Sequence, residues 1–303
     1  MRIIVVGQGP FGEKVLEALT QNGEDVVGVF CPPGKSGEPM KEIAERLGVS
    51  FFRPNRMSDP EVYDTYAGLQ PELSMLAFVT DIISERLLRI PSLGTICYHP
   101  SLLPRHRGAS AINWAIINGD TRTGLTVFWA DEGIDTGPIL LQKEVKIAPE
   151  DTTGSLYFNT LLPLGVEAMV EAVELIGKGK APRISQDESK ATYEPPCDDS
   201  VAAVDWKKPT KNLYNLIRGC DPQPGSYSTL EGKKIRLYAA RPCQEATGNP
   251  PGEVISIEKG GVRVATKDGA IEIGRLRVDK GEKMEATEFA RSIDLTTGDR
   301  FGD

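Results

Sequence analysis

Histidine is scarce in this chain of 303 residues: only two are present, His99 and His106. Any chemistry that needs an imidazole must therefore involve that stretch. No apolar run approaches the ~18 residues of a membrane-spanning helix, so we expect no transmembrane segment. The first residues, MRIIVVGQGPFG, hold a short apolar run without a small-residue cleavage site, and we interpret them as a strand rather than a signal peptide.

Cysteines and basic residues are also limited. The five cysteines are widely spaced and form no CxxC pair, which indicates free thiols and a cytoplasmic location. With 35 Lys and Arg against 43 Asp and Glu, the net charge is −8, which argues against a broad grip on nucleic acid but leaves room for a local basic patch. A composition of 40% hydrophobic and 26% charged residues is that of a globular protein and excludes disorder.

Strand-like and helix-like patterns alternate through the first half of the chain. Apolar runs such as Arg2–Val6, Asp25–Phe30 and Leu73–Phe78 precede segments with helical periodicity. This alternation predicts an α/β fold whose mostly parallel sheet is covered on both faces. A long helix is predicted over Thr152–Ile176, with a threonine N-cap and an end at Gly177.

The second half is predicted to be mostly β. Residues 178–196 are polar, contain prolines and lack periodicity, which is typical of a linker. Turn signals then separate five short strands, which predict a small barrel or sandwich, with an OB-like barrel as one option. These strands are Ser226–Thr229, Lys234–Ala239, Gly252–Ile257, Val262–Thr266 and Ala270–Leu276. We predict a catalytic domain over 1–177, a linker over 178–204 and a carboxy-terminal domain over 205–303.

A GxGxxG pattern spans Gly7–Gly12, between the first strand and the first helix. A dinucleotide site also needs an acidic residue ~20 residues further on, at the end of the second strand. That strand ends in Phe30-Cys31-Pro32-Pro33, and Pro10 removes one N–H from the turn. We therefore predict a structural turn here, with no NAD or flavin.

Two loops that follow predicted strands carry chemically active side chains. Cys97 and His99 are two residues apart, so on an extended strand they share a face, and Pro100 keeps His99 extended. Ligands of open α/β sheets bind beyond the carboxyl ends of the strands, which favours a functional His99 over one that only satisfies a backbone carbonyl. The loop DEGIDTG, which contains Asp135, has two glycines that would let the backbone pass close to a ligand; an ordinary acidic turn is the alternative.

The motif HPSLLPRHRG, followed 36 residues after its His99 by the aspartate of GIDTG, resembles the folate-dependent formyltransferases. Within that family it is most similar to the amino-terminal hydrolase region of 10-formyltetrahydrofolate dehydrogenase, and it is also similar to methionyl-tRNA formyltransferase. The likeness continues through GASAINW, FWADEGIDTG, VDWKKP and LIRGCDPQPGSY, and covers roughly residues 1–290.

The resemblance implies a Rossmann-like formyltransferase domain, a smaller barrel-like carboxy-terminal domain, and 10-formyltetrahydrofolate as formyl donor without a metal or NAD. In the matching catalytic pair, His99 would stabilise the negative oxygen that forms on the attacked formyl group, and Asp135 would favour the imidazolium and move protons. Residues matching the folate-binding loops are Asp81, Ile82 and Ile83, at the pterin, and Ser101, Leu102, Leu103 and Pro104.

One departure from the family bears on the reaction. Cys97 stands where amine-formylating members carry asparagine, and a thiol is a weaker hydrogen-bond donor than an amide. This favours hydrolysis, with water as acceptor. Two roles for Cys97 stay open: a small buried residue, or a nucleophile that takes the formyl group as a thioester. The carrier and aldehyde dehydrogenase regions of the dehydrogenase do not fit in 303 residues, so we do not expect oxidation to carbon dioxide.

Several alternatives stay open beside hydrolysis. The nearest is an amine formyltransferase, with methionyl-tRNA or a nucleotide-sugar amine as acceptor, although the acidic net charge counts against tRNA. A zinc hydrolase with Cys97, His99 and Asp135 as ligands is a second, and a folate-binding module without turnover is a third. The basic cluster Arg105–Arg107 is either a solvated loop or a contact for a folate carboxylate or an acceptor phosphate.

Overall fold

The computed structural model describes residues 1–34, 37–79, 81–243 and 248–302. The chain divides into two compact units, each built from three stretches of sequence. The first comprises Met1–Ala109, Thr123–Val145 and Phe158–Glu194, and the second Ser110–Arg122, Lys146–Tyr157 and Pro195–Asp303. The domain boundaries at 177 and 204 stay a prediction. Among the described residues, no helix combines the length and apolar character needed to cross a membrane.

The strands, in chain order, are β1 Arg2–Gly7, β2 Asp25–Phe30, β3 Phe51–Phe52, β4 Leu73–Ala77, β5 Gly94–His99, β6 Arg122–Trp129, β7 Ile139–Lys146, β8 Ser226–Leu230, β9 Lys233–Cys243, β10 Val254–Glu258, β11 Gly261–Ala265, β12 Ala270–Val278 and β13 Met284–Glu285. The helices are α1 Gly9–Gln21, α2 Glu38–Leu47, α3 Pro60–Gly68, α4 Glu85–Leu88, α5 Ala111–Ile117, α6 Thr153–Leu156, α7 Leu162–Gly177, α8 Asp199–Ala202, α9 Thr210–Gly219 and α10 Ala286–Ser292.

The sheet of the first unit has the strand order β3-β2-β1-β4-β5-β6-β7. The pairs from β3 to β5 are parallel, and β6 is antiparallel to β5. Every residue of β4 and all but the first of β1 are buried, as expected for strands covered on both faces. On one face, the rings of Phe11 and Tyr98 stack at 4.1 Å, and Gly165 of α7 lies against both, where a side chain would not fit.

The long helix predicted over Thr152–Ile176 forms as α6, a π-helical turn over Tyr157–Leu161, and α7, which ends at Gly177. Thr152 is the N-cap: its hydroxyl accepts from the Ser155 N–H, and the Ser155 hydroxyl accepts from the Thr152 N–H. This reciprocal pair satisfies two donors that the first turn would otherwise leave open.

The sheet of the second unit is antiparallel, with the order β10-β11-β12-β9-β8 and β13 beside β12. Its core joins apolar residues of the strands to Leu213 and Ile217 of α9 and Phe289 of α10. All five strands predicted for this region form, within a few residues of the predicted bounds. The predicted fold class is therefore confirmed: a mostly parallel, Rossmann-like sheet is followed by a smaller carboxy-terminal β domain.

Candidate active site

His99 is the last residue of β5, at the carboxyl edge of the parallel strands. Its imidazole is buried, and Nε2 lies 2.7 Å from the carbonyl oxygen of His106. Because a carbonyl only accepts, Nε2 carries the hydrogen of this bond. The other nitrogen, Nδ1, therefore faces the rest of the site. Satisfaction by a backbone carbonyl thus accounts for Nε2 alone, and a functional role of His99 would use Nδ1 and stays a prediction.

Asp135 lies opposite this second nitrogen. Its Oδ2 is 3.4 Å from Nδ1 of His99 and accepts a 2.8 Å hydrogen bond from the N–H of Gly108. The side chains of His99 and Asp135 are 7% and 16% exposed, so the pair is largely buried. The backbone of Asp135 has φ of 57°, a left-handed conformation that non-glycine residues rarely adopt. The structure thus brings the two predicted residues together, and their catalytic roles stay a prediction.

The two glycines of the DEGIDTG loop serve the protein itself. A side chain at Gly137 would overlap the carbonyl oxygen of Trp129, and one at Gly133 would overlap Thr136. Asp131 closes the loop, because its Oδ1 accepts from the Gly133 N–H and the Thr136 hydroxyl. Packing within the protein therefore accounts for both glycines, because each lies against a neighbouring protein atom. Space for a ligand is not required to explain them.

Half of the predicted folate loop over residues 101–104 is engaged with the protein. The Ser101 hydroxyl donates to the Arg105 carbonyl at 2.6 Å, and the Leu103 N–H donates to Thr126 Oγ1 at 3.1 Å. Ser101 and Leu103 are both buried, whereas Leu102 and Pro104 are partly exposed. A ligand would therefore contact this loop mainly through Leu102 and Pro104, and folate binding here stays a prediction.

The predicted pterin loop, Asp81–Ile83, follows β4, which is the parallel neighbour of β5. The Asp81 carboxylate accepts from the backbone N–H groups of Met57 and Ile82, both at 2.9 Å, so it holds its own loop in shape. Ile82 is 79% exposed. Asp81 also borders a small cleft beyond the ends of β1 and β4. Because the Asp81 carboxylate is already engaged, the backbone N–H and C=O groups of this loop are the candidates for hydrogen bonds to a pterin ring.

Cys97 is only partly exposed and packs against the apolar cluster around Ile4, Val6 and Phe30. Burial, and secondarily the charge of Asp135, raise the pKa of its thiol. Since the thiolate is the nucleophile, a raised pKa counts against the thioester role that the sequence left open. Cys97 fits the other interpretation, a small residue that fills space close to His99 and Asp135.

Metal ligation by this cluster has no geometric support. Among the described residues, which include Cys97, His99 and Asp135, no group of three His, Cys, Asp or Glu side chains is placed to hold a metal ion.

Within the basic cluster Arg105–Arg107, Arg105 is exposed, whereas the structure contradicts both interpretations for Arg107. Its side chain is completely buried and donates to Glu188, Gln186 and Tyr193. It is therefore neither solvated nor open to a phosphate. The partners come from residues 182–194, a stretch that the sequence suggested to be a linker. The sequence of that stretch did not predict that its acidic and amide side chains pair with Arg107, because these contacts join residues about 80 positions apart.

Comparison with known proteins identifies the family. Residues 1–173 match the family model described as Formyl transferase, and residues 198–294 match the model of its C-terminal domain. The chain belongs to the formyl transferase family. Its enzymes include cytosolic 10-formyltetrahydrofolate dehydrogenase of Xenopus laevis, 38% identical over 312 residues, which covers 97% of this chain and 34% of that protein. The chain thus spans about a third of the length of the dehydrogenases that it matches.

A second relative matches along its whole length. Methionyl-tRNA formyltransferase of Geotalea uraniireducens is 35% identical over 310 residues, which cover all of this chain and 98% of that protein. Among solved structures, HypX from Aquifex aeolicus in complex with tetrahydrofolic acid has a TM-score of 0.72 at 23% identity, over 96% of this chain and 47% of HypX. At this identity the likeness supports the fold alone.

Proposed function

We propose that this formyl transferase family member is a folate-dependent enzyme that takes the formyl group of 10-formyltetrahydrofolate and transfers it to water, giving tetrahydrofolate and formate. The observation that carries the proposal is the juxtaposition of His99 Nδ1 and Asp135 Oδ2 at 3.4 Å, at the edge of the sheet where ligands bind. Sequence similarity to the 10-formyltetrahydrofolate dehydrogenases supports the choice of folate.

In the proposed reaction, water attacks the formyl carbon while the Asp135 carboxylate takes a proton from it. The formyl oxygen becomes negative, and the Nδ1–H of protonated His99 donates to it; Nε2 is already used by the His106 carbonyl. The tetrahedral intermediate then loses the folate nitrogen: the C–N bond breaks, and that nitrogen takes the proton held by Asp135. Tetrahydrofolate and formic acid leave, the formic acid loses its remaining proton to solvent to give formate, and the Asp135 carboxylate is restored.

Water is favoured as acceptor because of residue 97. A thiol with a raised pKa donates weakly, so it would stabilise a developing oxyanion less than the amide that amine-formylating members carry at this position. We also propose that Asp81–Ile83 and the exposed part of residues 101–104 contact the folate. The five cysteines stand as free thiols, which supports a reaction in a reducing compartment such as the cytoplasm.

The alternative is an amine formyltransferase. The full-length match to methionyl-tRNA formyltransferase favours methionyl-tRNA as the amine, and the net charge of −8 counts against it. A nucleotide-sugar amine is the other acceptor to test.

The test is to mix the purified protein with 10-formyltetrahydrofolate, without any amine, and to follow tetrahydrofolate release by the wild type and by Asp135→Ala. We expect release by the wild type and its loss in the variant. Tight folate binding without release would contradict hydrolysis and move the search to amine acceptors. Absence of binding would contradict the assignment of folate.

A further inference from the structure

Gln186 holds the backbone at the predicted catalytic aspartate and just after it. Its Nε2 donates to the carbonyl oxygen of Asp135 at 2.9 Å and to that of Gly137 at 2.8 Å. These two bonds fix the short segment in which Asp135 adopts its left-handed conformation, with φ of 57°. An amide with two hydrogens is suited to this task, because it can satisfy two carbonyl groups at once.

Arg107 fixes which way the Gln186 amide points. The Oε1 atom of Gln186 accepts from Arg107 Nη2 at 2.7 Å and from Nε at 3.3 Å. A guanidinium only donates, so the oxygen end of the amide must face Arg107 and the NH2 end must face the two carbonyls. The buried guanidinium is itself held by Glu188, which receives two hydrogen bonds at 2.6 and 3.0 Å.

Three consecutive residues therefore position both members of the pair. The His106 carbonyl receives the hydrogen of His99 Nε2, Arg107 acts on the Asp135 backbone through Gln186, and the Gly108 N–H donates to the Asp135 carboxylate. A shift of this tripeptide would move His99 and Asp135 together, and a loss of Gln186 would release only Asp135.

The stretch over residues 182–194, here called the strap, anchors this tripeptide in turn. Thr192 accepts from the Arg107 N–H through its carbonyl at 3.0 Å and from the His106 N–H through its hydroxyl at 2.8 Å. At the other end of the strap, Ile184 forms a two-way backbone bridge with Ile139 of β7. Gln186 thus lies between two fixed points and cannot drift from Asp135 without breaking them.

From these contacts we infer that Gln186, oriented by Arg107, is a positioning residue for Asp135 in the transfer of the formyl group. It touches no reacting atom and acts only by holding the carboxylate at its distance from His99. The inference rests on the proposed function for its kinetic consequence, but the contact between Asp135 and His99 that it predicts is measurable without turnover.

The kinetic test uses two substitutions at Gln186. Gln186→Glu keeps the size and the acceptor for Arg107 but at neutral pH loses both donations, and Gln186→Leu removes the polar group. Misplacement of a catalytic group by 1 Å can cost ~10²-fold in rate, so we expect kcat for formyl release to fall by about 10- to 100-fold with KM for the folate nearly unchanged. Asp187→Asn, an exposed neighbour whose carboxylate contacts Ser189 and Lys190, is the matched control and should keep wild-type kcat.

A double-mutant cycle separates positioning from general damage. In an Asp135→Asn background there is no carboxylate to position, so the further loss caused by Gln186→Leu should be less than about 2-fold. A loss as large as in the wild type, or a rise in KM with kcat preserved, would overturn the inference.

A spectroscopic readout needs no activity. With only two histidines in the chain, the ring nitrogen resonances of His99 are readily assigned after 15N labelling. If Gln186 positions Asp135, then at fixed pH the Nδ1 resonance of His99 in Gln186→Glu should move toward its position in Asp135→Asn. An unchanged resonance would overturn the inference even if the enzyme is active. A shifted resonance in a protein that releases no formyl group would leave the inference standing and contradict the proposed function instead.

Discussion

Two regions of the first unit, here called corners, have similar positions in the sheet but contain different kinds of residue. The glycine-rich turn after β1 and the loop after β5 both follow parallel strands at the carboxyl edge of the sheet. In the first corner, a side chain at Gly7 would overlap the carbonyl oxygen of Ala77, and one at Gly12 would press against the sulfur of Met40 at 3.3 Å. These glycines let α1 and β4 approach the turn, so packing accounts for them.

The second corner is filled by buried polar side chains. His99, Ser101, His106 and Arg107 are all less than 6% exposed, and each has a hydrogen-bond partner within the protein. These partners offset the cost of burying polar groups, and clusters of buried titratable groups are concentrated at functional sites. The comparison teaches that buried, mutually satisfied polar groups mark the candidate site better than the glycine pattern does.

The largest expected effect is at His99. His99→Ala removes the imidazole and with it the Nδ1 donor, and the loss of one donor to a developing oxyanion typically costs about 10²–10³-fold in kcat. The measurement is the rate of tetrahydrofolate release at saturating substrate. His106→Asn is the control: it keeps the backbone carbonyl that receives His99 Nε2, and asparagine tolerates the left-handed backbone at position 106, where φ is 55°. Equal losses at the two histidines would contradict the roles given to them.

The glycine corner should respond in stability. Gly7→Ala forces a Cβ into backbone, and overpacking of this kind costs about 3 kcal/mol in the free energy of unfolding. Gly9→Ala is the comparison, because its φ of 62° strains an alanine by only about 1 kcal/mol and no other atom lies within 4 Å of the new Cβ. Urea unfolding measures both. A Gly7→Ala protein as stable as the wild type would break the packing explanation.

A smaller effect is expected at Cys97. If the thiol only fills space, Cys97→Ala should change kcat for formyl release by no more than a few-fold, whereas loss of a covalent nucleophile would abolish the reaction. The same assay measures it. Cys97→Asn tests the effect of residue 97 on the choice of acceptor. It introduces the amide that amine-formylating members carry at this position, so transfer to an added amine should rise relative to hydrolysis.

The smallest effect is a pH dependence of alkylation. An ordinary thiol has a pKa near ~8.5, and burial and Asp135 raise that of Cys97, so its thiolate fraction is lower at every pH below that raised value. The rate at which iodoacetamide alkylates Cys97 is measured by peptide mass spectrometry between pH 7 and 9.5. This rate should rise with pH through the whole range, without a midpoint near pH 8.5. Asp135→Asn should shift the curve slightly to lower pH, because the carboxylate is the second cause. A midpoint near 8.5 would contradict the assigned environment.

The sequence was sufficient for most of the fold. Apolar runs with turn signals located β2, β8 and β12 to within a few residues, since their periodicity is a local property of the chain. The first helix begins at Gly9, inside the Gly7–Gly12 pattern that we predicted to be a turn, because proline is compatible with a first helical turn.

Only part of the candidate site could be predicted from the sequence. His99 and Asp135 could be named because they belong to a motif, and they meet because the loop between β6 and β7 brings Asp135 to the end of β5. The pairing of Arg107 with Gln186 could not be predicted, because the two residues are 79 positions apart in sequence and their contact depends on the path of the strap. Hydrogen bonds between distant polar side chains leave no period in the sequence, so only the structure reveals them.

The central claim, that water receives the formyl group through His99 and Asp135, is tested most directly by competition. The protein is given 10-formyltetrahydrofolate in H2 18O with methionyl-tRNA present or absent, and the formyl group is traced to formate or to the amine. The account predicts formate carrying one 18O atom at the same rate with or without the amine, and its loss in Asp135→Asn. Formyl groups found on the amine, with formate no higher than in Asp135→Asn, would contradict it.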